Sequence, residues 1–106
     1  MTTYIYALVD PETDETGYVG KSVNPDGRNL QHAKNAEAYS LFGPKSTSVK
    51  YGCVGAWIAS LWALGRNPRM VILDECDDRY SIVVEKRWIE KLVAEGQPLT
   101  NYTHNR

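Results

Sequence analysis

"YIYALVDPETDETGYVGKS", residues 4 to 22, is the stretch on which the fold of this 106-residue chain turns. It holds two short apolar runs, Tyr4 to Val9 and Gly17 to Ser22, joined by an acidic link that Asp10, Pro11 and Gly17 punctuate. β-Branched and aromatic residues on both sides of a turn-forming link predict a β-hairpin. Each strand carries tyrosine, Tyr6 on the first and Tyr18 on the second, with Gly20 and Lys21 just beyond. Tyrosines near a sheet edge are ordinarily packing residues. A phenol becomes a proton acceptor only beside a cation or a metal-bound water, and Lys21 lies three residues past Tyr18.

Downstream of the hairpin, Asn24-Pro25 is a helix start, with Asn at the N-cap and Pro at the first helical position, and the helical pattern runs to about Ser40. Residues 41 to 52 are rich in turn formers and predict a loop suited to substrate contact. From Cys53 to Leu64, Val54, Trp57, Ile58, Leu61 and Leu64 recur at helical spacing, and Gly65 suits the position after the helix. Met70 to Leu73 predicts a third strand ended by the acidic run, and Asp77 or Asp78 can cap a third helix reaching Glu95. The order ββααβα predicts an α+β fold: one domain, residues 1 to 106, with a small three-stranded antiparallel sheet flanked by about three helices.

Twelve basic and thirteen acidic residues give a net charge of −1, which argues against non-specific gripping of nucleic acid. The average hides a pattern. Eight acids fall in two clusters, Asp10, Glu12, Asp14 and Glu15 in the hairpin link and Asp74, Glu75, Asp77 and Asp78 before the last helix. Between Lys21 and Arg69 stand seven bases and two acids, so the middle of the chain can face an anion. Ordinary solvated charge is the bland reading of the same pattern. Cys53 and Cys76 form no CxxC pair and read as buried free thiols. No signal-peptide pattern opens the chain, and no apolar run approaches the roughly 18 residues of a membrane span, so the expected setting is the cytoplasm.

Two helices carry residues that need an explanation. With Ile82 at zero, Val84, Trp88, Leu92, Ile89 and Val93 fall between roughly 200° and 20°, and Glu85 at about 300° lies inside that arc. A carboxylate in a core-facing stripe is costly unless a metal ion, an Arg or a Lys pairs with it; otherwise it sits at the margin or in a structural ion pair. On the first helix, Arg28, His32, Asn35 and Tyr39 line one face at i, i+4, i+7 and i+11. Guanidinium, imidazole and phenol suit phosphate contact, although a generic exposed polar face has the same look. Trp57 and Trp88, at apolar helical spacing, read as core; Trp62, one position off the Leu61 ridge, stays open between core and base stacking.

Taken together, these residues resemble the GIY-YIG nuclease family. The first motif is Tyr4-Ile5-Tyr6, with Tyr4 where the family has Gly, and the second is Tyr18-Val19-Gly20 followed by Lys21 and Ser22. Arg28 and His32 match the helix motif, Glu85 in "VVEKRWIEKL" the acidic residue, and Asn101 in "PLTNY" the late asparagine. The resemblance implies a metal-dependent endonuclease that hydrolyses phosphodiester bonds in DNA, with Mg²⁺ or Mn²⁺ held by Glu85. Arg28 would stabilise the transition state, Tyr18 or Tyr6 would take the proton of the attacking water with help from Lys21, and His32 would orient or donate to phosphate. Asn101 would support the site by hydrogen bonding, and Gly20 would let the backbone turn closely at the strand end. Lys21, Arg28, His32, Asn35, Tyr39, Lys45 and Lys50 would contact the nucleic acid. No zinc-finger or helix-turn-helix pattern is present, so specificity would come from DNA structure, dimerisation or a separate recognition domain. Two other readings stand beside this one: a silent nucleic-acid-binding module of the same fold, and a protein-interaction domain using the acidic clusters.

Overall fold

The computed structural model describes residues 1–43 and 49–101, with the side chains of residues 49–53 outside the described set. Strands β1 (Thr2–Val9) and β2 (Thr16–Ser22) form the expected hairpin, followed by helices α1 (Pro25–Phe42) and α2 (Val49–Ala63), strand β3 (Arg69–Asp77) and helix α3 (Ser81–Ala94). The three strands make one antiparallel sheet in the order β2-β1-β3, as the ββααβα pattern predicts. Among the described residues no helix is long and apolar enough to cross a membrane.

The start of α1 follows the local chemistry. Asn24 caps it, its side-chain oxygen accepting from the Gly27 N–H at 3.2 Å, and Pro25 opens the first turn. Two other elements are longer than the sequence suggests. Of the loop expected over 41 to 52, α1 takes in Leu41 and Phe42 and α2 takes in the residues from Val49, while 44 to 48 lie outside the described residues. β3 does not stop at the acidic run: Asp74, Glu75 and Cys76 pair with Ile5, Tyr4 and Thr3 of β1. Backbone pairing to the central strand outweighs the poor strand propensity of Asp and Glu, and an edge position leaves their carboxylates in water. A register shift between Ile5 and Tyr6 breaks the regularity of that ladder, and with the acids it blunts the open edge against further pairing. Asp77 caps a single 3-10 turn at 78 to 80, accepting from the Arg79 N–H at 3.1 Å, and α3 begins only after it. Cys76, expected to be buried, is a half-exposed free thiol on this edge strand.

Helices cover both faces of the sheet. Alternation along β1 turns Tyr6 and Leu8 toward α1 and α2, where they pack with Tyr18, Ala36, Val54 and Ile58. Ile5 turns the other way and meets Val19 and Leu99, with Val84, Trp88, Ile89, Leu92 and Val93 of α3 laid over them. Fully burying a side chain such as Ile5, Leu8 or Val19 stabilises the fold by about 1.5 to 3 kcal/mol. Gly65 and Gly96, with φ of 74° and 87°, close α2 and α3 in left-handed backbone that other residues resist. The N–H groups that follow, Arg66 to Leu61 O at 2.9 Å and Gln97 to Leu92 O at 3.0 Å, complete the reversals. Both turns deliver the next side chain to a distant partner.

Candidate active site

On the α1 face the sheet presents a cluster that is not hydrocarbon. Tyr6 from β1, Tyr18 from β2 and His32 from α1 meet with ring centroids 6.1 Å apart for the two tyrosines, 6.0 Å for Tyr6 and His32, and 5.0 Å for Tyr18 and His32. The Tyr6 hydroxyl and His32 Nε2 lie 2.8 Å apart in a buried hydrogen bond. His32, expected on an open polar face of α1, is 1% exposed, beside Ala36 one turn on. Sequence spacing placed it in line with Arg28, Asn35 and Tyr39 but could not tell which margin of that row turns inward.

Burial pushes the His32 imidazole down to about 4, and the Arg28 guanidinium one turn earlier pushes it the same way. The ring is therefore neutral at physiological pH and able to take a proton at one nitrogen. Arg28 also lines an open cavity of about 480 Å³ with Ser22, Asn24, Gly27 and Gln31. A guanidinium at that mouth suits a phosphate.

Gly20 has a different role from a strand-end turn. It lies within β2, opposite Tyr6, and a Cβ there would collide with the Tyr6 hydroxyl oxygen and come within 2.8 Å of the Tyr18 ring. The missing side chain is the space in which the two phenols meet. Tyr4, two residues before Tyr6 on β1, pairs with Ser22 and is half-buried at the end of the same row.

Lys21, expected beside the Tyr18 phenol, is carried elsewhere. Strand alternation puts Lys21 with Val19 on the α3 face, so it does not stand beside the Tyr18 phenol. Lys21 is instead the positive neighbour of the Cys76 thiol, which burial and Asp74, Asp77 and Asp78 push up. Glu85 is half-buried on α3. Among the described residues no three His, Cys, Asp or Glu side chains gather as a ligand group. Asn35 and Tyr39 are half-buried on α1; Lys45 and the Lys50 side chain lie outside the described residues.

Asn101 acts on the backbone. Its Oδ1 accepts from the Val19 N–H at 2.8 Å and its Nδ2 donates to the Val19 carbonyl at 2.6 Å. Two neighbours that sequence reading missed share this role. The Gln97 Oε1 accepts from the Thr16 N–H, and the Thr100 hydroxyl donates to the Gly17 carbonyl, both at 2.8 Å. Three side chains thus satisfy the outer edge of β2 and fix the strand that carries Tyr18 and Gly20. Their signal was the run of Gln, Thr and Asn just past Gly96.

The basic middle of the chain is also less available than its charge suggests. Arg66 pairs with the buried Asp10 at 3.2 Å, and Arg69 with Asp14 at 3.3 Å, so two of the seven bases offset the acids of the hairpin link. The Asp10 carboxyl, accepting from the Glu12 N–H at 2.9 Å with Arg66 nearby, is held below the usual range.

The order ββααβα, with one three-stranded antiparallel sheet between helices, places the chain in the class of small α+β domains. The chain belongs to the GIY-YIG family: the family model described as the GIY-YIG catalytic domain matches residues 2–97, nearly the whole chain. Members of this family are nucleases that act on DNA and generally depend on a divalent metal. No curated protein and no solved structure matches the chain.

Proposed function

We propose that this protein is a metal-dependent DNA endonuclease of the cytoplasm that hydrolyses a phosphodiester at the Tyr6, Tyr18, His32 and Arg28 cluster. The observation that carries the reading is the 2.8 Å contact between the Tyr6 hydroxyl and His32 Nε2, with Arg28 one turn away in a chain of this family. As the water attacks phosphorus, the Tyr6 oxygen takes its proton and the phenol proton passes to His32 Nε2. Arg28 couples that step to substrate. While the site is empty, its charge helps hold the imidazole neutral; a phosphate seated on the guanidinium offsets that charge and raises the affinity of His32 for a proton. Arg28 then stabilises the charge that builds on the phosphoryl oxygens, a contribution worth about a hundredfold in rate. Tyr18, at 9% exposure the ring of the three nearest the surface, meets the substrate and keeps Tyr6 and His32 in register.

Glu85 is the carboxylate that would hold the metal. A half-buried carboxylate would suit Mg²⁺ or Mn²⁺, hard cations that take carboxylate oxygen and keep several waters. Bound there, the ion supplies charge stabilisation to the phosphoryl group and the leaving oxygen. The protein-interaction reading has less to stand on, since Asp10, Asp14 and Asp77 pair with Arg66, Arg69 and Arg79 within the chain.

Cleavage of supercoiled, linear and single-stranded DNA with Mg²⁺ or EDTA, by wild type, Glu85→Ala and Arg28→Ala, tests the function. Metal-dependent nicking that both substitutions abolish in folded protein is the expected result. A well-folded wild type that binds DNA but cuts none of the three would show the silent binding module instead.

A further inference from the structure

A second cavity of about 350 Å³ lies against α1, between that helix, the end of α2 and the Asn67-Pro68 connection. Its walls include Ile58 and Trp62, and its polar groups are Asp26, Asn29, His32 and Asn67. The size is that of a small-ligand pocket, and a few polar groups among apolar walls fit a ligand that is flat and hydrogen-bonding. The Trp62 Nε1–H donates to Asn67 Oδ1 at 3.1 Å, which fixes the plane of the indole. A fixed indole in an open cavity is a stacking platform.

The polar groups select among bases. The Asp26 carboxylate can only accept hydrogen bonds. Asn67 spends its carbonyl on the indole and keeps its –NH₂ as a donor. An acceptor pair and a donor lining one cavity complement the edge of guanine, whose N1–H and N2–H₂ face a carboxylate while O6 accepts. Adenine, cytosine and thymine each lack that pair of adjacent donors.

The cavity touches the reaction centre through His32, which lines it while Nε2 meets the Tyr6 hydroxyl. The Arg28 cavity lies on the other flank of the same α1 turns, so the two are separated by one helix width, about 10 Å. A nucleic acid strand with one phosphate at Arg28 can place a neighbouring unpaired base on Trp62. The geometry points to a guanine-binding pocket: an unpaired guanine next to the cleaved phosphate, stacked on Trp62 and read by Asp26 and Asn67. This assignment rests on the nuclease reading for its substrate, but not for its test.

The metal-free full chain is titrated with dGMP, dAMP, dCMP and dTMP while the Trp62 indole N–H resonance is followed, in wild type and in Asp26→Asn. Asp26 is exposed, so the variant keeps the fold. The expected result is a shift of the Trp62 resonance, dGMP binding about tenfold more tightly than the other three, and loss of that preference in Asp26→Asn. Equal affinity for all four, a preference that Asp26→Asn leaves intact, or an unmoved Trp62 resonance overturns the pocket. The outcome is independent of cleavage. Guanine preference in a protein that cuts no DNA keeps the pocket and removes the nuclease, whereas cutting without guanine preference does the reverse.

Discussion

The two faces of the sheet are built from adjacent residues of the same strands, yet they bury different chemistry. On the α3 side Ile5, Val19 and Leu99 pack against Val84, Trp88, Ile89, Leu92 and Val93 of α3, a contact of apolar shape. On the α1 side their chain neighbours, Tyr6, Tyr18 and Gly20, converge with His32 on one hydrogen bond and a gap that only a missing side chain leaves open. Tyr6 and His32 are as buried as the aliphatics opposite, and Tyr18 lies a little nearer the surface. The aliphatic face therefore supplies stability that lets the other face hold polar rings at fixed separations, where small errors in position are expensive.

Adjacent substitutions on β1 put this division under the strongest pressure. Tyr6→Phe keeps the ring and deletes the hydroxyl, so DNA cleavage should fall at least about 100-fold while stability drops by only about 1 kcal/mol. Ile5→Ala should do the opposite, costing about 3 kcal/mol in denaturant unfolding but leaving the rate of the folded protein within about threefold. If Ile5→Ala lost cleavage as deeply as Tyr6→Phe at a temperature where it is folded, the two faces would not be separable.

Acid offers a perturbation of one face without mutation. His32 is held at about 4 in the fold and takes up its proton near 6.5 in the unfolded chain. Between those values the unfolded state binds more protons, so stability rises with pH. The contribution is present above pH 6.5 and is lost as pH falls toward 4, to a total of about 3 kcal/mol. Denaturant melts across that window should show the slope in wild type and lose most of it in His32→Phe. NMR titration of Arg28→Ala sharpens the assignment. The His32 value should rise only part of the way to 6.5, since burial, the larger cause, remains.

Gly20→Ala tests the gap itself. A methyl group there must displace the Tyr6 hydroxyl or the Tyr18 ring, at a cost of about 2 kcal/mol, and the Tyr6 to His32 bond should go with it. Cleavage that survives Gly20→Ala unchanged would mean the phenol separation is not critical. The smallest effect belongs to the edge of β2. Asn101→Ala removes two hydrogen bonds to Val19 and should cost about 1 to 2 kcal/mol, with faster hydrogen exchange confined to β2.

Elements whose information is local could be read from the chain: the hairpin from its alternating apolar runs, the start of α1 from Asn24-Pro25, and the ends of α2 and α3 from Gly65 and Gly96. β3 is longer than its local sequence predicts, because Asp74 and Glu75 are poor strand formers by themselves and only pairing with Ile5 and Tyr4 makes them strand. The candidate site was legible as residue types at spacings, Tyr6, Tyr18, Arg28, His32, Glu85 and Asn101. Their arrangement was not. Lys21 follows Tyr18 closely in sequence but faces the other side of the sheet, while His32, distant in sequence, lies on the Tyr6 hydroxyl.

The order and kind of the elements, the family, and the side chains suited to phosphate chemistry are all legible along the chain. They are legible because helix caps, turn residues and strand alternation act over a few neighbouring residues. Folding in three dimensions is what makes His32 buried and neutral, Gly20 a space rather than a turn, Arg66 and Arg69 the partners of Asp10 and Asp14, and Gln97, Thr100 and Asn101 the closure of the β2 edge. Each of those facts depends on which surfaces face each other after the chain has folded, and desolvation, close contact and charge pairing act across that distance in sequence.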